Sequence, residues 1–516
     1  MFFIPGADAM REILITPENI HTQPPALLSD FFQQQTCVTW DANVPYALDS
    51  ETSLVFSTPV IKRARKNDTQ QYRYEFVGAE IGKGMFGSVS AVTGTLAIEA
   101  NKAVKFKPGV DKKARVIKCE NIHENLLMER EAREQRIRNE YHLSMQAKHL
   151  AIKPPTMVDV SAGKTSYTVM RKMPGTTLAS IVRKEFNGES MLTLQQRIEL
   201  TQALLQAVKT QVTDLGIIHR DLKCENIIVD LNHPITVNII DYGLSIKNDN
   251  NVYGIAGTPL YLAPESMDKQ PFVHTPAADV YSLGRVLSLL WQDFLLVENK
   301  LKNWEDLKDN VNNIDKAYLQ DNLFKNLNLP SLLKKLVVDA IAPMLHLKPE
   351  NRATIEECIK NFLHLDKFNH PHGKAIIKIL QDIASLNTYQ QEFIRNNEVT
   401  AAKALTKMTT QLQTALEPLL EMEPEEFQKN LHQVARCQDI IAAQQKAFST
   451  RYDLRCILIN IALAIAGLLV IYAALTCINK AVTGNFLFFA APTAAGKKTV
   501  ELAQDVDNLE NIASTP

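Results

Sequence analysis

The stretch I-H-R-D-L-K-C-E-N, Ile218–Asn226, decides the fold of this chain. It places a carboxylate (Asp221), an amine (Lys223) and an amide (Asn226) close together in a short loop between apolar runs. Phosphoryl transfer needs these three kinds of group: an acceptor for the proton of the attacking hydroxyl, a cation for the moving phosphoryl group, and an oxygen ligand for Mg²⁺. The spacing is too specific for chance, so it predicts a catalytic loop.

Five further motifs accompany this loop in a fixed order. They are I-G-K-G-M-F-G-S-V (Ile81–Val89), D-Y-G (Asp241–Gly243), G-T-P-L-Y-L-A-P-E (Gly257–Glu265), D-V-Y-S-L-G (Asp279–Gly284) and K-P-E-N-R-A (Lys348–Ala353). The segments Ser88–Ile98 and Lys102–Lys107 have the composition of strands, whereas a dinucleotide-binding glycine loop would open a helix. The glycines therefore favour a hairpin whose backbone can approach phosphates without a Cβ in the way.

Together the six motifs, spread over roughly Tyr72–Leu365, resemble the eukaryotic-type protein kinases. The resemblance implies an α+β, bilobal protein kinase fold that uses ATP and Mg²⁺ and acts on protein substrates. Lys223 and Thr258 resemble the residues at these positions in the Ser/Thr-specific kinases, so the implied activity is transfer of the γ-phosphate of ATP to Ser/Thr hydroxyls.

The same resemblance assigns roles to individual residues. Asp221 would take the proton of the substrate hydroxyl, Lys223 would reach the γ-phosphate, and Asn226 and Asp241 would hold Mg²⁺. The ATP-binding residues implied are Ile81, Gly82, Gly84, Gly87, Val89, Val116, Met170, Met173 and Ile228. The residues implied to brace the site are Arg220, Thr258, Glu265, Asp279 and Arg352.

Two lysines compete for the role of phosphate anchor. Lys105, in A-V-K, lies 18 residues after Gly87, and Lys118, in R-V-I-K, lies 31 residues after it. The partner carboxylate is expected on the helix that follows, at Glu140 in R-N-E-Y-H-L. Lys118 leads straight into that helix, whereas Lys105 would place an extra strand before it, so Lys118 is favoured and Lys105 stays open.

Composition agrees with an intracellular enzyme and adds little. The net charge of −1 gives no overall attraction to nucleic acid, and no nucleic-acid partner is expected. The seven cysteines are scattered without a C-x-x-C pair, which indicates a reduced compartment and gives structural zinc little support. Pro5 and Asp8 stand where a signal peptide needs an apolar core, so export by such a peptide is not expected.

Composition and hydrophobic pattern divide the chain into five segments. They are an N-terminal extension (1–71), the kinase domain (72–365), a helical region (366–452), a transmembrane helix (453–479) and a tail (480–516). The basic run Lys62–Lys66 near the end of the extension is interpreted as a solvated linker. Pro418 and Pro424 interrupt the helical pattern of residues 374–450, which predicts several helices there instead of one long rod.

The transmembrane prediction rests on Cys456–Ile478, which contains no charged residue over 23 positions. As a helix it would extend about 34 Å, enough for a bilayer core of about 30 Å. Cations flank it on both sides, so the charge pattern does not choose an orientation. The kinase is therefore expected to be attached to a membrane through residues 456–478.

Three shorter stretches, I-K-P-P-T, V-T-D-L-G-I-I-H-R-D and N-I-I-D-Y-G-L-S, together resemble the kinases that intracellular bacterial pathogens deliver into host cells by type IV secretion. This resemblance implies a secreted effector, anchored to a membrane, with its kinase domain in the host cytosol and host proteins as substrates. Position 254, a usual phosphoacceptor position in the family, is Gly254, which suggests that activity does not require phosphorylation there. Ser245 and Tyr253 remain as acceptors in that loop.

Other classes of function stay open. The chain could be a membrane-anchored pseudokinase scaffold that binds nucleotide without transfer, although such scaffolds often lose one of Asp221, Asn226 and Asp241. Residues 374–516 could carry a membrane-organising function that the kinase regulates. A kinase for a lipid or another small molecule is a third alternative, which the resemblance of Thr258–Glu265 to a peptide-positioning platform disfavours.

Overall fold

The computed structural model describes residues 11–65, 68–84, 87–99, 101–110, 114–123, 127–160, 163–248, 256–267, 273–293, 313–363, 365, 368, 371–444, 448, 454 and 457–469. The chain forms two compact units. The first comprises Met1–Ile181, Ala207–Leu262 and Asp268–Asp279, and the second comprises Val182–Gln206, Ala263–Met267 and Val280–Pro516. The candidate catalytic loop lies in the first unit, together with the β-rich part of the chain.

An eight-stranded antiparallel sheet dominates the first unit. Its strands run in the order β10-β11-β9-β7-β6-β5-β2, with β8 paired to β7. These strands are β2 (Thr39–Trp40), β5 (Val60–Arg65), β6 (Asp68–Lys83), β7 (Ser88–Ile98), β8 (Val104–Pro108), β9 (Arg115–His123), β10 (Thr156–Val160) and β11 (Gly163–Arg171). Helix α2 (Leu127–Gln146) follows β9 directly, which is the order that the Lys118 assignment requires.

Smaller sheets complete the first unit. One has the order β1-β4-β3, from β1 (Arg11–Ile15), β3 (Pro45–Ala47) and β4 (Thr52–Phe56). The others place β12 (Thr176–Thr177) beside β14 (Ile227–Asp230) and β15 (Thr236–Ile239), and β13 (Ile217–Ile218) beside β16 (Ile246–Lys247). The last two sheets hold both ends of the candidate catalytic loop, because β13 ends immediately before it and β14 begins immediately after it.

The N-terminal extension is part of the large sheet, and the interpretation of Lys62–Lys66 as a solvated linker is wrong for the described residues 62–65. Strand β5 pairs with β6, and the buried Arg63 binds the fully buried Glu75 at 2.6 Å between Nε and Oε1. Lys62 lies over the ring of Tyr72, 4.2 Å from its centroid. The charged residues of this run predicted a solvated linker, but Arg63 is buried because Glu75, 12 residues away, neutralises it.

An aromatic core joins the extension to this sheet. Helix α1 (Pro25–Gln34) packs Phe32 against Tyr74 of β6, with ring centroids 3.9 Å apart. Each such fully buried side chain contributes about 1.5–3 kcal/mol through removal of apolar surface from water. The other large rings of this core are Phe31, Trp40, Phe56 and Phe76.

Helices make up most of the remaining described chain. They are α3 (Leu178–Phe186), α4 (Leu194–Gln211), α5 (Pro276–Leu290), α6 (Lys316–Asn322), α7 (Ser331–Ile341), α8 (Ile355–Leu363), α9 (Pro371–Ser385), α10 (Asn387–Arg395), α11 (Val399–Leu416), α12 (Pro424–Lys429) and α13 (Leu431–Gln444). Pro418 lies in a short 3₁₀ segment after α11, and Pro424 is the first residue of α12. Proline suits a first helical turn because its missing N–H has no intrahelical partner there, so several helices form, as the pattern predicted.

The transmembrane prediction is covered only in part by the structure. Residues 454 and 457–469 are helical, and the other residues of the expected span, 453, 455, 456 and 470–479, lie outside the described residues. Over the part of the chain that the structure describes, no helix is both long enough and apolar enough to cross a membrane.

Candidate active site

The catalytic-loop residues converge on the carboxylate of Asp221. The hydroxyl of Thr258 donates to Asp221 Oδ1 at 2.7 Å, and Lys223 Nζ lies 2.8 Å from Oδ2. Lys223 Nζ also donates to the Thr258 hydroxyl at 2.7 Å. Asn226 donates its amide N–H groups to the carbonyl and to Oδ2 of Asp221, at 2.9 and 3.0 Å. The four side chains therefore hold one another in a fixed arrangement.

The catalytic loop and the D-Y-G motif each contain one residue in a costly backbone conformation. Arg220 and Asp241 have φ angles of 65° and 63°, a left-handed region that non-glycine residues seldom adopt and that costs about 1–3 kcal/mol each. Asp279 counters the cost at Arg220 because its carboxylate accepts the backbone N–H groups of His219 and Arg220, at 2.6 and 2.9 Å. Burial raises the pKa of Asp279 to about 6, although these two hydrogen bonds act to lower it.

The tyrosine of the D-Y-G motif fixes the motif in the protein interior. Tyr242 is fully buried, and its hydroxyl donates to the carbonyl of Gln211 at 2.9 Å. Its ring packs against that of His219, with centroids 5.0 Å apart. The hydroxyl that distinguishes tyrosine from the phenylalanine usual in the family therefore has a partner, as a buried phenol requires.

Of the two candidate lysines, Lys118 lies in the site. Its Nζ lies 2.7 Å from Glu140 Oε1 and 3.2 Å from Asp241 Oδ1. Lys105 is on the surface, 59% exposed, and pairs with Glu99. Burial acts to lower the pKa of Lys118, but the carboxylates of Glu140, Asp241 and Glu120 outweigh it and raise this pKa far above its ordinary value.

Asp241 is ionised in this environment. Burial acts to raise the pKa of its carboxyl group, but the Coulombic attraction and hydrogen bond of Lys118 lower it below its ordinary value. The result is an ionised carboxylate, the kind of oxygen ligand that Mg²⁺ takes, beside a lysine that can attract phosphates.

The glycine-rich segment forms a hairpin, as its composition predicted. Strands β6 and β7 pair with Gly82 opposite Val89, and the N–H of Gly84 donates to the carbonyl of Gly87 at 2.8 Å. A Cβ at Gly87 would lie 1.9 Å from the carbonyl oxygen of Cys119, so only glycine fits there. Met85 and Phe86, at the tip, lie outside the described residues.

A cleft of about 360 Å³ lies between this hairpin and the catalytic loop. Its walls contain every apolar ATP-binding residue that the sequence predicted: Ile81, Val89, Val116, Met170, Met173 and Ile228. Lys118, Glu140, Asn226 and Asp241 form its polar end. An apolar slot for a base that leads to a cation and two oxygen ligands fits the chemistry of Mg-ATP.

A larger open groove, of about 660 Å³, lies elsewhere, along α10 and α11. It is lined by residues such as Gln390, Lys403 and Thr406. These side chains offer no carboxylate beside a cation, so chemistry and not volume identifies the site.

The remaining bracing pair lies in the second unit. Arg352 donates to both oxygens of Glu265, at 2.6 Å each, and to the carbonyls of His346 and Leu347. Its guanidinium lies over the ring of Tyr281. The pairing that the resemblance implied for Arg352 and Glu265 is therefore present.

Sequence reasoning missed Glu120 and Arg136. Glu120 Oε1 lies 2.9 Å from Lys118 Nζ, and its Oε2 is bound by Arg136. A signal was available, because Glu120 is two residues from Lys118 on a strand and Arg136 is four residues from Glu140 on a helix. Each spacing places the two side chains on one face of its element.

Comparison with known families and proteins agrees with this geometry. The family model for the protein kinase domain matches residues 76–363, more than half of the chain. The chain is 31% identical over 150 residues to serine/threonine-protein kinase 17A of Oryctolagus cuniculus, covering 28% of this chain and 34% of that protein. It is 25% identical over 374 residues to calcium-dependent protein kinase 11 of Arabidopsis thaliana, covering 70% and 66%.

A third relative is the serine/threonine-protein kinase Nek8 of Danio rerio, 29% identical over 219 residues, covering 42% of this chain and 26% of that protein. The chain thus spans from about a quarter to about two thirds of the length of these relatives. The match to the domain model, the nucleotide cleft and the catalytic loop agree with one another: the chain belongs to the protein kinase domain family.

Proposed function

We propose that this chain is a protein serine/threonine kinase that transfers the γ-phosphate of Mg-ATP to Ser or Thr hydroxyls of proteins. The observation that carries the proposal is the cluster around Asp221, in which Thr258, Lys223 and Asn226 all contact one carboxylate. Its Ser/Thr-kinase relatives support the same activity.

The charge of each residue in the site decides its role in the reaction. Asp221 accepts the proton of the substrate hydroxyl, and Thr258 and Asn226 fix the direction of its oxygens. Lys223 neutralises charge that develops on the transferred group. Lys118, held by Glu140, positions the nucleotide phosphates. Bound Mg²⁺ supplies further neutralisation of phosphate charge, and Asn226 and Asp241 would hold it.

The alternative is a scaffold that binds nucleotide without transfer. Asp221, Asn226 and Asp241 are all present, and the ion pair between Lys118 and Glu140 is formed. A site that only bound nucleotide would not require a proton acceptor braced by three side chains. These contacts therefore favour an active kinase.

Transfer of labelled γ-phosphate by the full chain to a generic protein acceptor tests the proposal. Asp221→Asn should lower kcat about 10²- to 10⁴-fold, because the proton acceptor is lost. Asp241→Ala should cause a comparable loss through the metal site. Asp159→Asn, an exposed carboxylate with 84% of its side chain accessible, is the matched control. Nucleotide binding without transfer by a folded wild-type chain would instead favour the scaffold.

We further propose that activity does not require phosphorylation at the usual position of the loop between Asp241 and Glu265. That position is Gly254, which like Tyr253 lies outside the described residues. The Ser245 side chain is buried and its hydroxyl donates to the carbonyl of His219 at 3.3 Å, which removes it as an accessible acceptor. Arg220 precedes the catalytic Asp221, a feature of kinases that are switched by loop phosphorylation, but its guanidinium already contacts the Leu244 carbonyl and His274. Phosphatase-treated protein should keep its full rate, and recovery of a lost rate upon phosphorylation of Tyr253 would contradict the idea.

Attachment to a membrane through residues 456–478 is a separate proposal. Its support is the uncharged sequence of that segment and its described helical part, in which Ile459 and Leu463 are 46% and 57% exposed. Apolar side chains at i and i+4 share a helix face, and such a face fits lipid. By its resemblance to delivered bacterial kinases, the chain would act in a host cytosol on host proteins.

Membrane attachment is tested by flotation of the full chain with lipid vesicles and by extraction of cell membranes at alkaline pH. The full chain should float and resist extraction, and a chain ending at residue 452 should remain in the soluble fraction. Equal behaviour of both chains would refute the anchor without affecting the proposed activity. Phosphoproteins labelled in host lysate by the wild type and not by Asp221→Asn would test the host-protein proposal.

A further inference from the structure

Four charged side chains form a closed ring between strand β9 and helix α2. The charge ring consists of Lys118 and Glu120 from the strand and of Arg136 and Glu140 from the helix. Glu120 contacts Lys118 through Oε1 and Arg136 through Oε2. Glu140 does the same, with Oε1 2.7 Å from Lys118 Nζ and Oε2 3.9 Å from Arg136 Nη1. Glu120 therefore contacts both cations closely, whereas Glu140 contacts Lys118 closely and lies within ion-pair distance of Arg136.

The local structure makes this ring possible. Alternate residues of a strand point to one face, which brings Lys118 and Glu120 together, and residues four apart on a helix are neighbours, which brings Arg136 and Glu140 together. The strand thus presents a cation and an anion in a row, and the helix presents the complementary pair. All four side chains are at least four-fifths buried, so their interactions are weakly screened by water.

The pair of Arg136 and Glu120 means that the pair of Lys118 and Glu140 does not have to hold helix α2 on strand β9 alone. Lys118 must also attract the phosphates of ATP, and any movement of Nζ toward them weakens its hold on Glu140. The contact between Arg136 and Glu120 does not involve the lysine, so it keeps α2 on β9 while Lys118 engages the nucleotide. Arg136 also lies against the D-Y-G motif, because a Cβ at Gly243 would be 3.0 Å from its Nη1.

We propose that Glu120 and Arg136 are positioning residues, which hold helix α2 and its Glu140 in the catalytic position. The inference rests on the proposed kinase activity. Neither side chain needs to touch the substrate. Both act through Lys118, Glu140 and the segment that carries Asp241.

A double-mutant cycle in the full chain tests the ring. Glu120→Gln and Arg136→Gln should each lower kcat about 10-fold, since misplacement of catalytic groups by about 1 Å costs up to about 10²-fold. The KM for ATP should change less than kcat, because the apolar walls that hold the base are not part of the ring, although Lys118 is. The double variant should be faster than the product of the two single effects predicts, since both single variants lose the contact between Arg136 and Glu120.

The controls separate positioning from general destabilisation. Glu134→Gln neutralises another carboxylate of α2, whose ion-pair partners Arg130, Arg138 and Lys164 lie outside the charge ring, and it should keep kcat within about twofold. Arg136→Lys keeps the charge and should recover most of the rate lost in Arg136→Gln. If Arg136→Gln does not fold, Glu120→Asp, which keeps the charge and shortens its reach, makes the same test.

The outcomes are distinct from those for the proposed activity. Absence of transfer by the wild-type chain would reject the kinase and the ring together. An active wild type with both neutral variants within about twofold of its kcat would reject the ring alone. Effects that multiply in the double variant would also reject it, because they would show that the two side chains act independently.

Discussion

Replacing Lys118 by methionine tests the assignment on which the nucleotide site depends. Methionine keeps an unbranched apolar stem and removes the charge that contacts Glu140, Glu120 and Asp241. Loss of a preorganised cation at the phosphates costs about 3–4 kcal/mol of transition-state stabilisation, or about 10²- to 10³-fold in kcat. Loss of one partner of a buried ion pair also destabilises the fold, by about 3–5 kcal/mol, because a buried charge is left uncompensated.

Lys105→Met is the matched control, because this lysine is the other candidate and is exposed beside Glu99. A solvated surface pair has little effect, and the rate should change less than about twofold. The assay is initial-rate transfer from Mg-ATP by each full-length variant, with nucleotide affinity and thermal unfolding measured in parallel. Loss of transfer in Lys105→Met together with a rate within about tenfold of wild type in Lys118→Met would refute the assignment.

Three further predictions concern the bracing residues. Thr258→Val should lower kcat about tenfold, because Asp221 loses a hydrogen bond worth about 1–1.5 kcal/mol. Thr258→Ser keeps the hydroxyl and should keep most of the rate. Steady-state kinetics of both variants checks this prediction. Because the pKa of Asp279 is raised to about 6 in the folded protein, the contribution of this group to folding stability falls as the pH rises from 3.8 toward 6. Activity should change in the opposite direction, falling as the pH drops below about 6, because Asp279 is then protonated and no longer braces the catalytic loop. An unchanged acid limb in the pH–rate profile of Asp279→Asn would contradict this. Arg352→Gln should lower the free energy of unfolding measured in urea by about 3–5 kcal/mol, because Glu265 loses its buried partner. The control Lys378→Gln removes a surface ion pair with Asp382 and should lower it by less than about 1 kcal/mol.

Much of the site was accessible from the sequence because its parts are local. Asp221, Lys223 and Asn226 lie within one short loop, so their spacing alone predicted that they converge. The glycines of Ile81–Val89 predicted a hairpin for the same reason, since the strands that follow them are visible in the composition. The family domain match over residues 76–363 is consistent with both inferences.

The choice between Lys118 and Lys105 required the structure. Both follow an apolar residue on a strand, but Lys105 is on β8, which pairs with β7, whereas Lys118 is on β9, where its amine meets Glu140 of α2. The interpretation of Lys62–Lys66 failed for a related reason. A charge run predicts solvation unless a partner neutralises it, and the partner of Arg63 is Glu75 on the neighbouring strand.

The sequence by itself determined the family, the catalytic loop and the kinds of residue in the nucleotide cleft, because these depend on the order and spacing of residues along the chain. Only the tertiary structure decided which lysine meets Glu140, that the extension completes the sheet, and that Glu120 and Arg136 close a ring of charge around the site. Those facts depend on pairs of side chains that are distant in sequence. The strength of each pair is set by burial and geometry, which residue order alone does not specify.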